Sequence, residues 1–246
     1  MRHPFLMHNI MEFFAPRFCN VCQGQLLVTE DTICSHCNTM IATDGVVDDA
    51  SSQTARLFWG HAPIAKAGVL FDYHAQSPIS ELLASIKYRQ HIHTCHRLGR
   101  TLACRYLPRQ FFEGIDVIVP IPLHAERFRR RGFNQSEEIA RGIGETVGLN
   151  VLSDSVLRTV DNPTQTHLTQ FERLKNVDRI FSVPKPHLLE GKHILIVDDV
   201  ITTGATVSSL IRTIFEAAPH TVFSILALGR GGNDHFVQTP AWYRNG

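Results

Sequence analysis

Short apolar runs alternate along the chain with segments whose apolar residues recur at helical spacing. The apolar runs predict β-strands at 67–73, 115–121, 193–197 and 221–228. The helically spaced segments predict helices at 78–90, 134–148 and 203–217. Strands that alternate with helices favour right-handed crossovers. The pattern therefore predicts an α/β fold with a mainly parallel sheet flanked by helices.

Residues with capping chemistry mark the ends of two of these helices. Ser77 is placed to cap the helix that begins at Pro78. Asn134 precedes the next helix as its N-cap, Glu137 follows three residues later, and Gly148 stands where that helix stops. Both helices therefore have a predicted first turn, and the second also has a predicted end.

Four of the six cysteines form two CxxC pairs, Cys19 with Cys22 and Cys34 with Cys37. Each pair can bend into a knuckle, and two knuckles supply the tetrahedral four-sulfur set that structural zinc prefers. Two redox dithiols or free core cysteines are the alternative. The close spacing favours zinc, which would fold a module too small to have a core of its own. The other two cysteines are interpreted as core residues: Cys95 and Cys104.

Changes in composition divide the chain into four parts. A zinc module is predicted at 1–45, and a polar, turn-prone linker follows at 46–62. The alternating strands and helices predict one domain at 63–230. The remaining residues, 231–246, are polar and lack periodicity, so they are interpreted as a tail.

The composition is that of a globular protein. With 246 residues, 43% of them apolar, the chain can bury a sizeable core. No apolar stretch approaches the roughly 18 residues of a membrane span. The amino-terminal segment also lacks the unbroken apolar run of a signal peptide. We therefore expect a cytoplasmic protein, where cysteines more often bind metal than form disulfides.

The segment at 193–206 carries the most informative chemistry, because a buried strand ends there in two adjacent carboxylates, Asp198 and Asp199. A loop and a helix start follow: Thr202, Thr203, Gly204, Ala205 and Thr206. Ligands of open parallel sheets bind at this edge, and a helix N-terminus suits a phosphate dianion. The carboxylates can accept hydrogen bonds from ribose hydroxyls. The alternative is a strand end with solvated acids; no P-loop motif occurs.

The same segment resembles the phosphoribosyl-pyrophosphate signature of type I phosphoribosyltransferases. The motifs at 120–124 and 131–136, together with the double CxxC, make the chain similar to the ComF family of competence-associated phosphoribosyltransferase-like proteins. The resemblance covers roughly residues 10–230. It implies a type I phosphoribosyltransferase-like sheet with a small amino-terminal four-cysteine zinc module.

The resemblance also implies roles for matching residues. Asp198 and Asp199 would hold the ribose of phosphoribosyl pyrophosphate, and the loop at 202–206 its 5′-phosphate. The residues implied at the pyrophosphate are Pro120, Ile121, Pro122 and Arg127. A mobile catalytic hood, a loop that closes over the site and excludes water, is implied over 158–181. The candidates for stabilising charge on the leaving group, together with Mg²⁺, are Arg127, Arg158, Arg173 and Lys175. A surface salt bridge is the alternative for each.

The formal charge of +1 conceals an uneven distribution, because residues 84–131 hold ten Lys and Arg side chains against three acids. Basic groups interleaved with aromatic rings are typical of surfaces that bind single-stranded nucleic acid. The candidate contacts are Lys87, Tyr88, Arg89, Arg127, Arg129, Arg130 and Arg131. For the four arginines at 127–131, pyrophosphate binding or a solvated helix face is the alternative.

Two functions fit these observations. The first is a Mg²⁺-dependent phosphoribosyltransferase with an unidentified acceptor, motivated by the segment at 198–206. The second is a binding protein that handles single-stranded DNA in natural transformation, together with other competence proteins. In that case the phosphoribosyltransferase fold would serve as a phosphate-binding scaffold or switch. Fold alone does not decide between them.

Overall fold

The computed structural model describes residues 16–30, 32–39, 52–60, 62–88, 91–160 and 180–231. Its strands are β1 (Ile64–Tyr73), β2 (Val117–Pro120), β3 (Asn150–Val151), β4 (Leu157–Arg158), β5 (Phe181–Ser182), β6 (His193–Ile201) and β7 (Val222–Gly231). Its α-helices are α1 (Ser35–Asn38), α2 (Gln53–Arg56), α3 (Pro78–Ser85), α4 (Ile92–Tyr106), α5 (Ala125–Arg131), α6 (Gln135–Val147) and α7 (Ala205–Ala217). Short 3₁₀ turns lie at Leu107–Arg109 and Pro186–Leu188.

The predicted parallel α/β fold is confirmed. Five of the strands form a parallel sheet in the order β1-β7-β6-β2-β3, while β4 and β5 pair antiparallel beside it. Side chains of β6 alternate between the two faces of the sheet. Leu195 and Val197 belong to a core with α4 and α6, whereas Ile194 and Ile196 belong to a core with α7. The sheet is thus covered by helices on both faces, as its continuously apolar strands require.

Helices α4 and α6 cross with their backbones in direct contact. A Cβ atom at Gly99 would collide with the backbone carbonyl of Ile139, and one at Gly142 with the carbonyl of His96. Each helix therefore has a glycine where the other passes. Gly142 serves this close approach, whereas Gly144 lies against Leu149, Val151 and Ile118 and not against α4.

The cysteine-rich segment is continuous with the main core. Val21, Leu26 and Ile33 are buried in the same cluster as the apolar residues of α4 and α6. The hydroxyl of Thr94, on α4, donates to Oδ1 of Asn20 over 3.4 Å. Folding of the cysteine-rich segment therefore helps to fix the position of α4.

The predicted helix caps are confirmed. The Ser77 side chain accepts the N–H of Ser80, and the Asn134 side chain accepts the N–H of Ser136. Gly148 ends α6 with φ of 75° in the left-handed region, as a C-terminal glycine does. All three signals act within one turn of the chain, so the sequence suffices to predict them.

Three expectations differ from the structure. The predicted helix at 78–90 ends at Ser85, with the buried Ile86 as its C-cap, and the chain continues as a turn. The interpretation of Cys104 as a core residue is wrong: it is exposed, on the side of α4 opposite the buried Cys95. Residues 52–60, expected within a linker, contain helix α2 and pack on the sheet domain. Among the described helices, none combines the length and apolar content that a bilayer crossing requires.

The glycine crossing predicts the sign of a stability change. Helix propensity alone would make Gly142→Ala stabilising by about 1 kcal/mol. The collision with the His96 carbonyl should instead lower the free energy of unfolding by about 1–3 kcal/mol. Denaturant unfolding of the variant measures the difference, and a more stable variant would show that the two helices can separate without cost.

Candidate functional site

The two carboxylates lie where the sheet is open on one side. Pairing of β6 with β2 stops at Val197, opposite Pro120, whereas pairing with β7 continues to Ile201. The strand is thus longer than the predicted 193–197. Asp198 and Asp199 are held in register by β7 but project beyond the end of β2. The backbone that carries them is therefore supported by β7 but not by β2.

The Asp198 carboxylate is buried, with 7% of the residue exposed. Its Oδ1 accepts the Ser136 hydroxyl over 3.2 Å and the N–H of Asp199 over 2.8 Å. Burial, and then the neighbouring charge of Asp199, raise the pKa of Asp198 well above its ordinary value. Asp199 is partly exposed, and its Oδ1 accepts the N–H of Val200 over 2.8 Å.

The start of α6 joins these carboxylates to the end of β2. Asn134 accepts the N–H of Ser136 over 3.1 Å and donates through Nδ2 to the carbonyl of Ile121 over 3.0 Å. Ile121 in turn donates its N–H to the carbonyl of Val197 over 2.9 Å. Three residues predicted at the pyrophosphate lie at this junction: Pro120, Ile121 and Pro122. The helix N-terminus and the predicted pyrophosphate loop therefore form one hydrogen-bonded unit next to Asp198.

The loop that follows β6 forms a small cavity together with the start of α7. The cavity is lined by Asp198, Val200, Ile201, Thr202, Thr203, Gly204, Ala205, Thr206 and Val207. Gly204 has φ of 75° at the N-cap position and offers no capping side chain. The Thr203 hydroxyl accepts the N–H of Ala205 at the long distance of 3.4 Å. The structure thus places the predicted loop residues and Asp198 around one cavity whose N–H groups suit an anion.

Gly204 is constrained from outside the loop as well. A Cβ atom there would lie 2.9 Å from Cε1 of Phe58 and 3.5 Å from Cβ of Leu57. Phe58 is fully buried. A side chain at position 204 would therefore meet both a strained backbone conformation and an occupied space.

The segment that carries Phe58 is tied to the sheet, and we call residues 52–60 the strap. The Ser52 hydroxyl donates to the carbonyl of Ala67 on β1 over 3.1 Å. Thr54 accepts from Nη1 of Arg230 over 3.0 Å, and Arg230 is paired with Asp72 at 2.6 Å. These contacts hold the strap against β1 and against the carboxyl end of β7, beside the loop at 202–206.

The cationic candidates lie in several places. Arg127 is partly buried on α5, and Arg158 lies on β4 with its guanidinium 5.7 Å from the centre of the Phe181 ring. Arg131 donates to Oε1 of Gln135 over 3.0 Å. Arg129 and Arg130 are exposed on α5, and Lys87 and Tyr88 lie in the turn after α3. Three candidates lie outside the described residues: Arg89, Arg173 and Lys175.

Sequence reasoning missed the residues that support the site. Ser136 and Asn134 stand in the motif at 131–136, but nothing in that motif shows that one contacts Asp198 and the other Ile121. The sequence did not indicate that Phe58 supports the site, because the residues that precede it are polar and turn-prone. The motif, and not its contacts, was available from the sequence.

The four cysteines of the CxxC pairs form a cluster. Their Sγ atoms all lie within 4.8 Å of one another: Cys19, Cys22, Cys34 and Cys37. The Sγ atoms of Cys22 and Cys34 are 3.7 Å apart. A tetrahedron with metal–sulfur bonds of about 2.3 Å has edges of roughly 3.8 Å. The cluster therefore has the size and donor set of a four-sulfur metal site.

Backbone N–H groups are directed at these sulfurs. Cys19 accepts from Val21 over 3.4 Å and from Cys34 over 3.3 Å, while Cys22 accepts from Gly24 over 3.4 Å. Burial opposes ionisation of Cys19, but these donors outweigh it and lower its pKa to about 7. Such N–H···S contacts orient metal-binding thiolates and stabilise their charge.

Comparison with known proteins finds one matching domain family and several relatives. The phosphoribosyl transferase domain matches residues 94–242. The DNA utilization protein YhgH of Escherichia coli (strain K12) is 29% identical over 206 residues, covering 79% of this chain and 89% of that protein. Competence protein F of Haemophilus influenzae is 26% identical over 210 residues, covering 82% of this chain and 91% of that protein.

A third relative matches a shorter stretch. Competence protein ComFC of Bacillus subtilis (strain 168) is 36% identical over 100 residues, covering 41% of this chain and 38% of that protein. These relatives are consistent with the ComF family, and the domain match spans more than half of the chain. The chain with this sheet, this loop after β6 and this four-cysteine cluster belongs to the phosphoribosyl transferase domain family.

Proposed function

We propose that the protein binds phosphoribosyl pyrophosphate with Mg²⁺ at the end of β6, as a ComF-like member of its family with a role in natural transformation. The names of its relatives support the biological role. One observation carries the site: a buried carboxylate, Asp198, borders the same cavity as the glycine-led N-terminus of α7. A sugar that carries a phosphate has both the hydroxyls and the anion that this pair of features accommodates.

In the proposed reaction, the bond between the anomeric carbon and a pyrophosphate oxygen breaks, and a bond from that carbon to the acceptor forms. The electron pair of the broken bond leaves with pyrophosphate, and the acceptor loses a proton. Asp198 and Asp199 orient the ribose, and the loop at 202–206 holds the 5′-phosphate. The carboxylate oxygens of Asp198 and Asp199 are ligands that Mg²⁺ prefers, and the ion would neutralise charge on the leaving pyrophosphate.

Removing the charge of Asp198 should weaken ligand binding and stabilise the protein. Asp198→Asn keeps an oxygen that accepts from Ser136 but lacks the anion for the ligand and its metal. We expect at least a tenfold loss of affinity for phosphoribosyl pyrophosphate with Mg²⁺, measured by calorimetry. Asp154→Asn, at an exposed position, is the control and should bind as the wild type does.

The pH dependence of stability follows from the raised pKa of Asp198. Between the ordinary pKa and the raised one, the native state binds more protons than the unfolded state, so this group lowers stability as pH rises. Asp198→Asn should therefore melt at a higher temperature than the wild type at pH 8. The difference should shrink toward pH 4. A variant that melts lower at pH 8 would contradict the raised pKa of this carboxyl.

We further propose that the four-cysteine cluster holds one structural zinc ion. Metal analysis of freshly purified protein should find one zinc per chain, because the four sulfurs form a complete tetrahedral set. Cys37→Ser should lose the metal and lower the melting temperature, since this segment shares a core with α4. Cys104→Ser changes an exposed cysteine and should keep the zinc. Wild-type protein without zinc would overturn the proposal.

A second function, binding of single-stranded DNA, is favoured by the surface of α5. Arg129 and Arg130 are exposed there, and Phe128 presents 47% of its surface beside them. Guanidinium groups next to an open aromatic ring can contact phosphates and stack on bases. The helix immediately precedes α6, whose first turn contacts Asp198. A strand bound on α5 would therefore lie next to the helix that contacts Asp198.

This second function predicts a strong dependence on salt. The double change Arg129→Ala with Arg130→Ala should weaken binding of a single-stranded oligonucleotide. It should also flatten the plot of log affinity against log salt by about 1.4, if each arginine meets one phosphate. Lys185→Ala, another exposed basic position, is the control. Equal slopes for the double variant and the wild type would remove α5 from the DNA-binding surface.

A further inference from the structure

An exposed tryptophan stands beside the phosphate loop without a part in the functions above. Trp59 is 58% exposed, and the guanidinium carbon of Arg56 lies 5.6 Å from the centre of its ring. Exposing a large apolar ring to water is unfavourable. A tryptophan that remains exposed next to a candidate ligand site is available to contact the ligand when it is bound.

The strap fixes Trp59 relative to the loop. The preceding residue, Phe58, is fully buried and contacts Gly204, and Leu57 contacts the same glycine. On the other side of the strap, Thr54 accepts from Arg230 over 3.0 Å. Trp59 therefore follows directly after the point where the strap contacts the loop. A ligand that occupies the loop and extends past Gly204 approaches the segment that carries this ring.

The chemistry of this pair suits a nucleobase. Indole rings stack on bases of any sequence, and a guanidinium plane adds a cation–π contribution. The neighbouring loop supplies the anion site that a nucleotide phosphate needs. An aliphatic or peptide ligand would use the indole but would leave the loop N–H groups unused. Base and phosphate together are the ligand that uses both features.

The two ends of the cavity show which base can reach Trp59. This step rests on the proposed function, in which the ribose lies over Asp198 and its 5′-phosphate in the loop. Ser136 contacts the carboxylate end, whereas Phe58 contacts the loop at Gly204, the other end. A base or acceptor joined to that ribose lies on the Asp198 side. The base next to Trp59 must instead be attached through the phosphate, as the 5′ neighbour.

We propose that Trp59, with Arg56 against its ring, is a stacking site for the base on the 5′ side of a phosphate held at 202–206. The ligand is a single-stranded oligonucleotide, and the phosphate loop then holds one of its backbone phosphates. The strap, by contacting both the loop and the sheet, sets the distance between the phosphate and the stacked base.

Trp59 fluorescence tests this proposal directly. The sequence has two tryptophans, so Trp242→Phe leaves Trp59 as the only reporter. A thymidine oligonucleotide should quench its emission, whereas an abasic oligonucleotide of equal length and thymidine 5′-monophosphate should not. Trp59→Ala should lower oligonucleotide affinity about tenfold, the loss of one stacked base, and Trp59→Phe should recover most of it. Phe18→Ala, another exposed aromatic position, is the matched control.

The outcomes separate this site from the proposed function. If the wild type binds phosphoribosyl pyrophosphate but Trp59→Ala binds the oligonucleotide as tightly as the wild type does, the stacking site is wrong and the proposed function stands. Equal quenching by the abasic strand, or by thymidine 5′-monophosphate, would also overturn it. If oligonucleotide quenching depends on bases while phosphoribosyl pyrophosphate does not bind, the transferase proposal fails and base stacking at Trp59 stands.

Discussion

The buried carboxylate of Asp198 is the group around which the rest of the site is arranged. A charge removed from water is unfavourable unless it is hydrogen-bonded, and here a hydroxyl and a backbone N–H provide that support. The hydroxyl belongs to Ser136, so α6 must begin at this point. Pairing of β2 with β6 also ends at Val197, one residue before Asp198.

The opposite end of the cavity depends on steric fit rather than charge. Gly204 adopts a left-handed conformation and has Phe58 packed where a side chain would lie. The strap that supplies Phe58 is anchored by Arg230, at the end of β7, and by β1. The carboxylate end is thus held by α6, and the end at Gly204 is held by the strap. Two parts of the chain that are distant in sequence thus support one cavity from its two ends.

Local signals in the sequence predicted local structure well. The caps at Ser77 and Asn134 and the stop at Gly148 act within a turn of the backbone, and the structure has all three. Predictions failed where burial decided the outcome. The helix predicted at 78–90 stops at Ser85, where the buried Ile86 is its C-cap, and Cys104 is exposed because α4 turns that side to solvent. The sequence predicted a linker at the strap because polar, turn-prone residues precede Phe58, which is fully buried.

By itself, the sequence determined the α/β class, the two cysteine pairs and the chemical groups at 193–206. Each of these features lies within a short stretch of the sequence, so its alternation or spacing can be recognised without a structure. Only the tertiary structure decided which residues meet: Ser136 with Asp198, Phe58 with Gly204, and Gly142 with the backbone of His96. Those contacts join residues between 46 and 146 positions apart. They arise only when helices and strands pack, since packing, and not spacing along the chain, determines which side chains become neighbours.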